Sequence, residues 1–496
     1  MLVTTHLSVV RVDEHDVWKR KRPLDLGFVD FRTVEARKAA CEAEVELNAR
    51  LAPDVYLGIV PIEENGAIVD WAVHMRRLPD ARRADVMLAR GDLGHAAIER
   101  IAATLAVFHA HARSDAETAR FGTRDAVAFN VEENFRQTEG FIGEYLSGDQ
   151  ARELRAYQRG VLRDREAAFD ERVRRGRVRD GHGDLRLEHV YFEHPRPTII
   201  DCIEFSDRFR FADVCADVAF LSMDLAAQGR VDLAELFLAR YARASNDYDL
   251  YELVDFYESY RATVRGKVAA ILARDPSADD ATRARAAREA RRSFALAVAA
   301  DRSTALRPSV VAVGGLIASG KSTVAELVAS DTSAPILDAD RTRKSMLGVA
   351  PTLPLPEKAW TGAYAPALTE RVYAEVMRRA DVVLRSGRPV VLDASFRSPA
   401  LRRAARDLAA RHRVPFRFVE CRAPAEVCRE RLAGRAREET VSDGRDEIWD
   451  AFAARWEPAT DVPASEHIVL DTTRAEGETL ANLRARLDGW PLGLAG

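Results

Sequence analysis

The sequence predicts two domains of different fold class, an α+β domain over residues 1–300 and an α/β domain over residues 305–496. In the second, short apolar segments alternate with helical segments, which is typical of a doubly wound parallel sheet with helices on both faces. In the first, short strands around one helix fill about residues 1–80, and a mostly helical region fills about residues 81–300. A chain of 496 residues is also too long for a single core.

Composition and charge restrict the class of protein. Apolar residues make up 47% of the chain, which is ample for packed cores, and the net charge of −4 argues against nucleic acid as the main partner. The start of the chain lacks a signal-peptide pattern, and no apolar run approaches the ~20 residues that cross a bilayer. The five cysteines are scattered without a C-x-x-C pair. We therefore expect a soluble, cytoplasmic protein that does not bind membranes, and the sequence indicates no oligomeric state.

Strand and helix periodicities place the elements of the first domain in order. The predicted strands are "LSVVRV", "DVWKRKRP", "YLGIVPI" and "AIVDWAVHMRRL", and the helix among them is "VEARKAACEAEVELNARL". The pattern is helical from about 93 to 175, and the loop "HGDLRLEHVYF" then precedes a strand "PTIIDCIEF" and further helices. A Pro/Ser/Asp break and a charged helix follow, and Ser-Thr and Arg-Pro pairs place the boundary near 300–307.

A phosphate-binding loop follows the first strand of the second domain. The predicted strands there are "SVVAVGG", "APILDAD", "PVVLDAS", "FRFVECR" and "EHIVLDTT". After the first of them, Gly315-x-x-x-x-Gly320-Lys321-Ser322-Thr323 joins a strand to a helix, as such a loop requires. The glycines let backbone N–H groups point at phosphate oxygens, and the helix adds its positive end. We expect Lys321 to contact the β- and γ-phosphates of ATP and Ser322 to bind Mg²⁺.

Residues at two further strand ends complete the predicted site. Asp393 ends the apolar strand "RPVVLDASF" and suits the metal shell, or else it caps the next helix. Asp340 and Arg343 are three residues apart at the start of a helix and therefore share a face. Asp340 could accept a hydroxyl proton while Arg343 binds an anionic group, or the two could be an N-cap and a surface arginine.

An arginine-dense segment, "CRERLAGRAREETVSDGR", supplies candidate lid residues. Arg431 and Arg435 could close over the transferring phosphoryl group, or lie on the surface of this Arg-rich chain. With these motifs, residues 308–475 resemble the small P-loop kinases, such as gluconate, shikimate and chloramphenicol kinases and the polynucleotide-kinase-like group. The resemblance implies that Asp340 lies near the phosphoacceptor and that the arginine-dense segment is the lid.

The loop "HGDLRLEHVYF" has the layout of a kinase catalytic loop. Such a loop needs a base-like Asp, a metal ligand five residues later, and a second metal-binding Asp after a strand. Asp184 fits the base, His189 stands in the ligand position, and Asp201 directly follows an apolar strand.

Candidate ATP-binding residues precede this loop. Lys19 and Lys21 lie on one face of the strand "DVWKRKRP", because the side-chain period of a strand is two. Glu44, on the next helix, could hold such a lysine against the ATP phosphates. We lean to Lys21, which ends the strand.

Together these residues resemble the aminoglycoside phosphotransferase family. Its loop usually reads His-Gly-Asp-Leu-His-Pro-Gly-Asn, its metal strand usually reads Ile-Asp-Trp, and "FADVCADVAFL" is similar to its Asp-Leu-Ala segment, with Asp217 at the helix start. The resemblance spans about residues 1–290 and implies a protein-kinase-like fold with a small and a large lobe. The two halves together resemble the bacterial two-domain proteins named bifunctional aminoglycoside phosphotransferase/ATP-binding proteins.

Two positions depart from that family's pattern. His189 replaces the usual Asn, and Arg186 replaces the usual second His. Mg²⁺ prefers hard oxygen ligands, so an imidazole is a poor replacement for an Asn carbonyl. His189 could be a weak metal ligand that leaves Mg²⁺ to Asp201, or it could contact phosphate or substrate as a donor. The third explanation is that the domain has lost catalysis and only binds a ligand.

The sequence as a whole predicts a phosphotransferase with two nucleotide sites, each using ATP and Mg²⁺ to phosphorylate small hydroxylated substrates. A second hypothesis is a ligand-sensing first domain coupled to a P-loop domain that acts as a switching ATPase. A third is phosphorylation of nucleic-acid ends by the second domain. That hypothesis predicts steep salt dependence, and the acidic net charge weighs against it.

Overall fold

Contacts within the chain divide the protein into two compact units. Unit 1 comprises Met1–Phe237 and Leu253–Asp301, and unit 2 comprises Leu238–Glu252 and Arg302–Gly496. The computed structural model describes residues 1–4, 7–25, 29–298, 307–435 and 441–487. The predicted domain boundary, near 300–307, falls at the gap between the third and fourth of these ranges, where residues 299–306 lie outside the described part of the chain.

Unit 1 starts with an antiparallel sheet. Its strands are β1 (Leu2–Thr4), β2 (Ser8–Val12), β3 (Asp16–Lys21), β4 (Tyr56–Glu64) and β5 (Ala67–Arg76). They pair in the order β1-β2-β3-β5-β4. Helix α1 (Val34–Ala49) begins after Thr33, whose hydroxyl accepts a hydrogen bond from Ala36 N. Cys41 of this helix packs in the core against Val73 and Met75 of β5. The elements predicted for residues 1–80 are therefore present in the predicted order.

The rest of unit 1 is mainly helical. Its helices are α2 (Ala84–Arg90), α3 (His95–His111), α4 (Ala116–Ala119), α5 (Arg124–Thr138), α6 (Gly148–Asp164), α7 (Glu166–Arg174), α8 (Asp207–Arg210), α9 (Val214–Ala227), α10 (Val231–Ser245, in unit 2 from Leu238), α11 (Val254–Ala273) and α12 (Asp280–Val298). Short strands β6 (Val178–Asp180) and β9 (Phe211–Asp213) pair, as do β7 (Val190–Tyr191) and β8 (Thr198–Ile199). The strand predicted over "PTIIDCIEF" is thus shorter than expected. Asp201 has φ of +65°, which takes the backbone out of the extended conformation.

Unit 2 contains the predicted parallel sheet. Its strands are β10 (Val310–Gly315), β11 (Ile336–Asp338), β12 (Val390–Asp393), β13 (Phe416–Arg422) and β14 (His467–Asp471). They pair in parallel in the order β11-β12-β10-β13-β14. Strand β10 is buried along its whole length, as its continuous apolar sequence indicates.

Helices cover both faces of this sheet. They are α13 (Lys321–Thr332), α14 (Ala339–Met346), α15 (Pro366–Arg385), α16 (Pro399–His412), α17 (Ala425–Arg435), α18 (Asp446–Ala453) and α19 (Glu476–Arg486). On one face, Val419 of β13 shares a core with Val324 of α13 and Leu483 of α19. On the other, the Arg402 guanidinium of α16 lies 5.9 Å from the ring of Phe418, the strand neighbour of Val419.

Among the residues that the structure describes, no helix is both long enough and apolar enough to cross a membrane.

Candidate active sites

A cleft of about 390 Å³ in unit 2 holds most of the site residues predicted for the second domain. The phosphate-binding loop lies along it, and the lining also includes Asp338, Asp340, Asp393, Arg343, Arg397 and Arg243.

Glycine is required at both ends of the phosphate-binding loop. Gly315 has φ of +145°, and a Cβ there would lie 2.5 Å from both Cys421 O and Ser319 Oγ. Gly320 has φ of +85°, in the left-handed region that favours glycine. Helix α13 begins at Lys321, so its unpaired N–H groups face the loop. The Ser319 hydroxyl is buried and has no hydrogen-bond partner among the described residues. The loop is therefore shaped to receive an anion.

The polar side chains of the motif lie where the loop meets α13. Lys321 Nζ donates a hydrogen bond to the loop carbonyl Leu316 O at 2.7 Å. The Ser322 hydroxyl hydrogen-bonds the Asp393 carboxylate, which connects the loop to the end of β12. Thr323 is exposed on the first turn of the helix. A cationic ammonium and backbone donors at one place fit a polyphosphate.

Carboxylates gather at the carboxyl ends of β11 and β12. Asp338 and Asp393 are register partners there, and Asp340 lies in the first turn of α14. Burial and the nearby charge of Asp338 raise the pKa of Asp393 to about 6 and that of Asp340 to about 7. A divalent cation would offset this repulsion, and the oxygen donors of Ser322 and Asp393 are of the kind that Mg²⁺ prefers. Within the described ranges, no three His, Cys, Asp or Glu side chains are arranged to hold a metal ion by themselves.

Asp338 is a site residue that the sequence analysis missed. Its side chain caps α14 by accepting hydrogen bonds from Asp340 N at 2.8 Å and Arg341 N at 3.0 Å. The signal was present in "LDAD", where two acidic residues follow a buried strand and either could point into the cleft. The capping role fixes the position from which Asp340 faces the cleft.

Arginine and aromatic side chains also line the cleft. Arg343 is 4% exposed, and one of its amino groups donates to Ala363 O at 2.6 Å. Its guanidinium lies 4.6 Å from the centre of the Tyr364 ring, and its Nε has no hydrogen-bond partner in the described part of the chain. Arg397 lies 4.6 Å from the centre of the Trp360 ring. These side chains therefore suit an anionic or planar group.

Asp443, which was not predicted either, fixes one wall of the cleft. It forms an ion pair with Lys344 at 3.1 Å and accepts hydrogen bonds from the Tyr364 hydroxyl at 2.6 Å and Leu355 N at 2.9 Å. The acid and the lysine are both almost fully buried. Because these contacts converge on one carboxylate, residues 441–444 are held against the cleft that they line.

Arg431 lies against the back of the phosphate-binding loop. Its amino groups donate to Ala318 O at 3.2 Å and to Thr472 O at 2.5 Å. Here Arg431 supports the loop backbone, and the lid role predicted for it stays a prediction. Arg435 is the last residue of α17, and its side chain lies outside the described part of the structure.

We expect Asp340→Asn to stabilise the ligand-free protein at alkaline pH. A carboxyl whose pKa is raised from 3.8 to about 7 by folding binds more protons when folded, so its contribution to stability falls as pH rises from about 4 to 7. Asparagine removes this ionisation. The melting temperature of the variant should therefore exceed that of wild type by several degrees at pH 8, and the difference should shrink towards zero at pH 4. The control is Asp407→Asn, which changes an exposed carboxylate on α16. An equal effect of both variants, or no effect at pH 8, would contradict the rise in the pKa of Asp340 on folding.

In unit 1, the lysines of β3 meet a group of carboxylates. Lys19 Nζ lies 2.8 Å from Glu44 Oε1 and donates to Asp201 Oδ1 at 2.6 Å. Lys21 Nζ donates to Glu44 Oε2 at 2.6 Å and also to Glu204, which the sequence analysis missed. The side chain of Lys21 is 1% exposed, whereas those of Lys19 and Asp201 are 17% and 43% exposed. Lys19 and Asp201 therefore form the open side of this group.

Asp201 is held in an unusual backbone conformation. Its φ of +65° is rare outside glycine, and its N–H donates to the Tyr56 hydroxyl at 3.1 Å. The next residue is anchored by a hydrogen bond from Cys202 N to Asn48 Oδ1 at 2.8 Å. Burial alone would raise the pKa of Asp201, but Lys19 and then His189 lower it well below its usual range. The carboxylate is therefore ionised and fixed in direction.

The predicted catalytic loop brings Asp184, Arg186 and His189 together. Arg186 donates to Asp184 Oδ2 at 3.1 and 3.2 Å and pairs with Glu188. His189 Nδ1 donates to the Asp184 carbonyl at 2.7 Å, since a carbonyl only accepts. Its Nε2 then lies 3.5 Å from Asp201 Oδ2. Burial would raise the pKa of Asp184, but Arg186 and then His189 lower it to about 2.

Asp217 supports this loop from beneath. Its carboxylate accepts hydrogen bonds from His182 N at 2.7 Å and Gly183 N at 2.8 Å. Gly183 has φ of +86°, and a Cβ there would crowd Ile203. The "HGD" motif is therefore fixed by Asp217, a buried acid in the first turn of α9.

Comparison with known proteins identifies relatives of the whole chain and of the P-loop region. Residues 310–459 match a family model described as an AAA domain. The Mycobacterium tuberculosis (strain ATCC 25618 / H37Rv) protein with the name "Uncharacterized protein Rv2004c" is 34% identical over 452 residues, which cover 91% of this chain and 89% of the relative. The chain belongs to the same family as that protein. The family includes a Mycobacterium bovis member, "Uncharacterized protein Mb2027c", with the same identity and coverage.

Part of the chain is also similar to solved structures. A gluconokinase from Sinorhizobium meliloti 1021 is 20% identical, with 36% of this chain and 90% of that chain covered and a TM-score of 0.27. The Mycobacterium tuberculosis APS kinase in complex with AMPPNP and APS is 22% identical, with 37% of this chain and 98% of that chain covered and a TM-score of 0.25.

Proposed function

We propose that the protein is an ATP-dependent phosphotransferase and that the cleft of unit 2 transfers the γ-phosphoryl group of ATP to a hydroxyl of a small substrate. The observation that carries the proposal is a single cleft that is lined both by the phosphate-binding loop and by Asp340 and Arg343. Nucleotide and acceptor can then meet inside one cleft. We do not expect nucleic acid or a membrane to be the partner.

The residues of the cleft have separate roles in this proposal. Lys321 and the loop N–H groups bind the nucleotide phosphates, and Ser322 and Asp393 would hold Mg²⁺, which neutralises phosphate charge when bound. Asp340 accepts the proton of the acceptor hydroxyl as its oxygen bonds to phosphorus and the bond to the ADP oxygen breaks. A pKa near 7 suits a group that must take up a proton at neutral pH.

Arg343 defines the kind of acceptor that we propose. Its guanidinium is nearly fully buried, and its Nε has no hydrogen-bond partner among the described residues. A buried cation with an unsatisfied donor is costly unless a ligand completes its contacts. We therefore favour an acceptor that carries a carboxylate or another anionic group besides its hydroxyl.

We also propose a second nucleotide site in unit 1, of the aminoglycoside phosphotransferase type. Lys19, paired with Glu44, would contact the ATP phosphates, and Asp201 would hold Mg²⁺. Glu44, Asp201 and Glu204 outnumber the two lysines of the group, so an added cation beside the partly exposed Asp201 is favourable. His189 Nε2 lies on the same side, 3.5 Å from Asp201 Oδ2, and as an imidazolium, with both ring nitrogens protonated, it would donate to phosphate or substrate.

One contact favours the alternative, in which unit 1 senses a ligand without catalysis. Arg186 donates twice to Asp184, the residue that would accept the proton from the substrate. A carboxylate so engaged is a weak base, and its pKa of about 2 agrees with that. In this alternative, the lysines and carboxylates of unit 1 bind a ligand, and phosphoryl transfer occurs only at unit 2.

Product analysis tests the proposed function. The full chain is incubated with Mg-ATP and a library of hydroxylated metabolites, and phosphorylated products are identified by mass spectrometry. We expect at least one phosphorylated acceptor, and we expect Asp340→Asn to slow its formation by about 10²–10⁴-fold while nucleotide binding persists. Asp407→Asn is the control and should leave the rate unchanged. Release of inorganic phosphate without any phosphorylated acceptor would instead support a switching ATPase.

A further inference from the structure

The cleft of unit 2 has a neighbour that lies far away in the sequence. Residues Leu238–Glu252 belong to unit 2, although 49 residues separate them from Arg302, where unit 2 resumes. Arg240 and Arg243, on the second half of α10, both pair with Glu326 of α13, the helix that follows the phosphate-binding loop. Arg240 also donates to Ser330 Oγ at 2.9 Å. The segment is therefore attached to the helix that carries Lys321.

Further contacts fix the segment in place. The buried Tyr248 donates through its hydroxyl to Ile336 O of β11 at 2.5 Å. Asn246 Nδ2 donates to Ser345 Oγ of α14 at 2.6 Å. Because these contacts reach a strand and a helix that border the cleft, the position of the segment beside it is well defined.

Arg243 differs from Arg240 in what it faces. Arg243 lines the cleft together with Lys321, Ser322 and Asp393, whereas Arg240 does not. One amino group of Arg243 donates to Glu326 Oε2 at 2.7 Å, but its Nε is buried and has no hydrogen-bond partner in the ranges that the structure describes. Burial would lower the pKa of Arg243, but Asp338 and then Glu326 raise it. The guanidinium is therefore charged and only partly satisfied, and it lies close enough to Asp338 for the two charges to attract.

We propose that Arg243 is a phosphate-binding residue of the unit 2 site, a cation that the chain supplies from outside the P-loop region. This inference rests on the function proposed for that site. An arginine that lines such a cleft can stabilise the negative charge that spreads over the transferring phosphoryl oxygens. Its planar, permanently charged group suits this task, and Nε can complete its hydrogen bonding on a phosphate oxygen.

The pair Arg243→Met and Arg240→Met tests the proposal in the full chain. Both variants lose a contact with Glu326, but only the first removes a charge from the cleft. Turnover of Mg-ATP is measured in an Asp184→Asn background, so that unit 1 does not contribute. We expect Arg243→Met to lower kcat by about 10²–10³-fold and Arg240→Met to stay within about twofold of the parent. Equal effects of the two variants, whether small or large, would overturn the proposal.

Two further measurements separate a phosphate contact from a structural role. Arg243→Lys keeps a positive charge and should therefore have more turnover than Arg243→Met. Glu326→Gln removes the carboxylate that both arginines share and should keep most of the parent's turnover. If turnover falls as far in Glu326→Gln as in Arg243→Met, the arginine acts only by stabilising the position of α13, and the proposal is wrong. Melting temperatures identify any variant that fails to fold. If Arg243→Met is one of these, the turnover of Arg243→Lys and Glu326→Gln decides between the two roles. If Lys321→Ala keeps full turnover, the function proposed for the cleft fails; if it loses turnover but Arg243→Met does not, only this inference fails.

Discussion

Lys321→Ala in the full chain should lower turnover of Mg-ATP at the unit 2 cleft by on the order of 10³-fold or more. The lysine is the ammonium group at the start of α13 and lies against the phosphate-binding loop. Its charge opposes the negative charge of the nucleotide phosphates, most of all as the phosphoryl group leaves. Alanine is a good helix former, so the helix should persist. The measurement is steady-state turnover with an Asp184→Asn background, together with the melting temperature.

The control for this prediction is Lys358→Ala, which removes a lysine of the same unit that does not line the cleft. Turnover of the control should match wild type. Turnover of Lys321→Ala within a few-fold of wild type would show that the loop binds no nucleotide in a productive way. The full chain is needed, because a fragment from residue 305 would lack the segment that donates from Tyr248 to β11.

The parallel sheet and the phosphate-binding loop could be predicted because their signals are local. Strands β10 and β12 are buried along their whole length and read as apolar runs. At Gly315 and Gly320 any side chain would clash or be strained. The glycines of the motif are therefore required by the conformation of the loop. Asp393 ends such a strand, and its position at the sheet edge follows from the strand direction alone.

Other parts of the unit 2 site depend on contacts that no local pattern encodes. Arg243 comes from a helix about 70 residues before the loop, and only the folded chain brings it to the cleft. Asp443 acts through Lys344 and Tyr364, each of them distant in the sequence. For Arg431 the sequence pattern was ambiguous, because in an Arg-rich chain a single arginine is weak evidence for a role in the site. Its contacts are to backbone carbonyls of the loop and of Thr472.

The lysines of unit 1 show what strand periodicity can predict and what it cannot. The period of two put Lys19 and Lys21 on one face, and both do meet Glu44. Which of the two lysines is open to a ligand depends on how deeply each side chain is buried. The preference for Lys21 as the ATP-binding lysine is not favoured by the geometry. Lys21 is enclosed by Glu44 and Glu204, whereas Lys19 sits beside the partly exposed Asp201.

Asp201→Asn should weaken Mg-nucleotide binding at unit 1. The fixed, ionised carboxylate beside Lys19 is the oxygen ligand that the proposed site offers to a cation, and an amide carries no charge to hold it. The measurement is calorimetric titration of the full chain with Mg-AMPPNP in a Lys321→Ala background, which weakens the unit 2 site. We expect the parent to bind nucleotide at unit 1 and the Asp201→Asn variant to bind it at least about tenfold more weakly, since charge-assisted contacts contribute ~1.5–3 kcal/mol each.

The control is Asp16→Asn, on the same strand as Lys19 but paired with His74 at 2.6 Å and apart from the lysine–carboxylate group. It should leave the affinity unchanged. Lys19→Met provides a second probe, because it removes the phosphate-facing charge while Lys21 stays paired with Glu44. Loss of binding in both Asp201→Asn and Lys19→Met, with melting temperatures near that of the parent, would assign the site. Equal affinity in the parent, Asp201→Asn and Lys19→Met would mean that unit 1 holds no kinase-type nucleotide site. The buried ion pairs of Lys19, Lys21 and Glu44 would then only stabilise the sheet against α1.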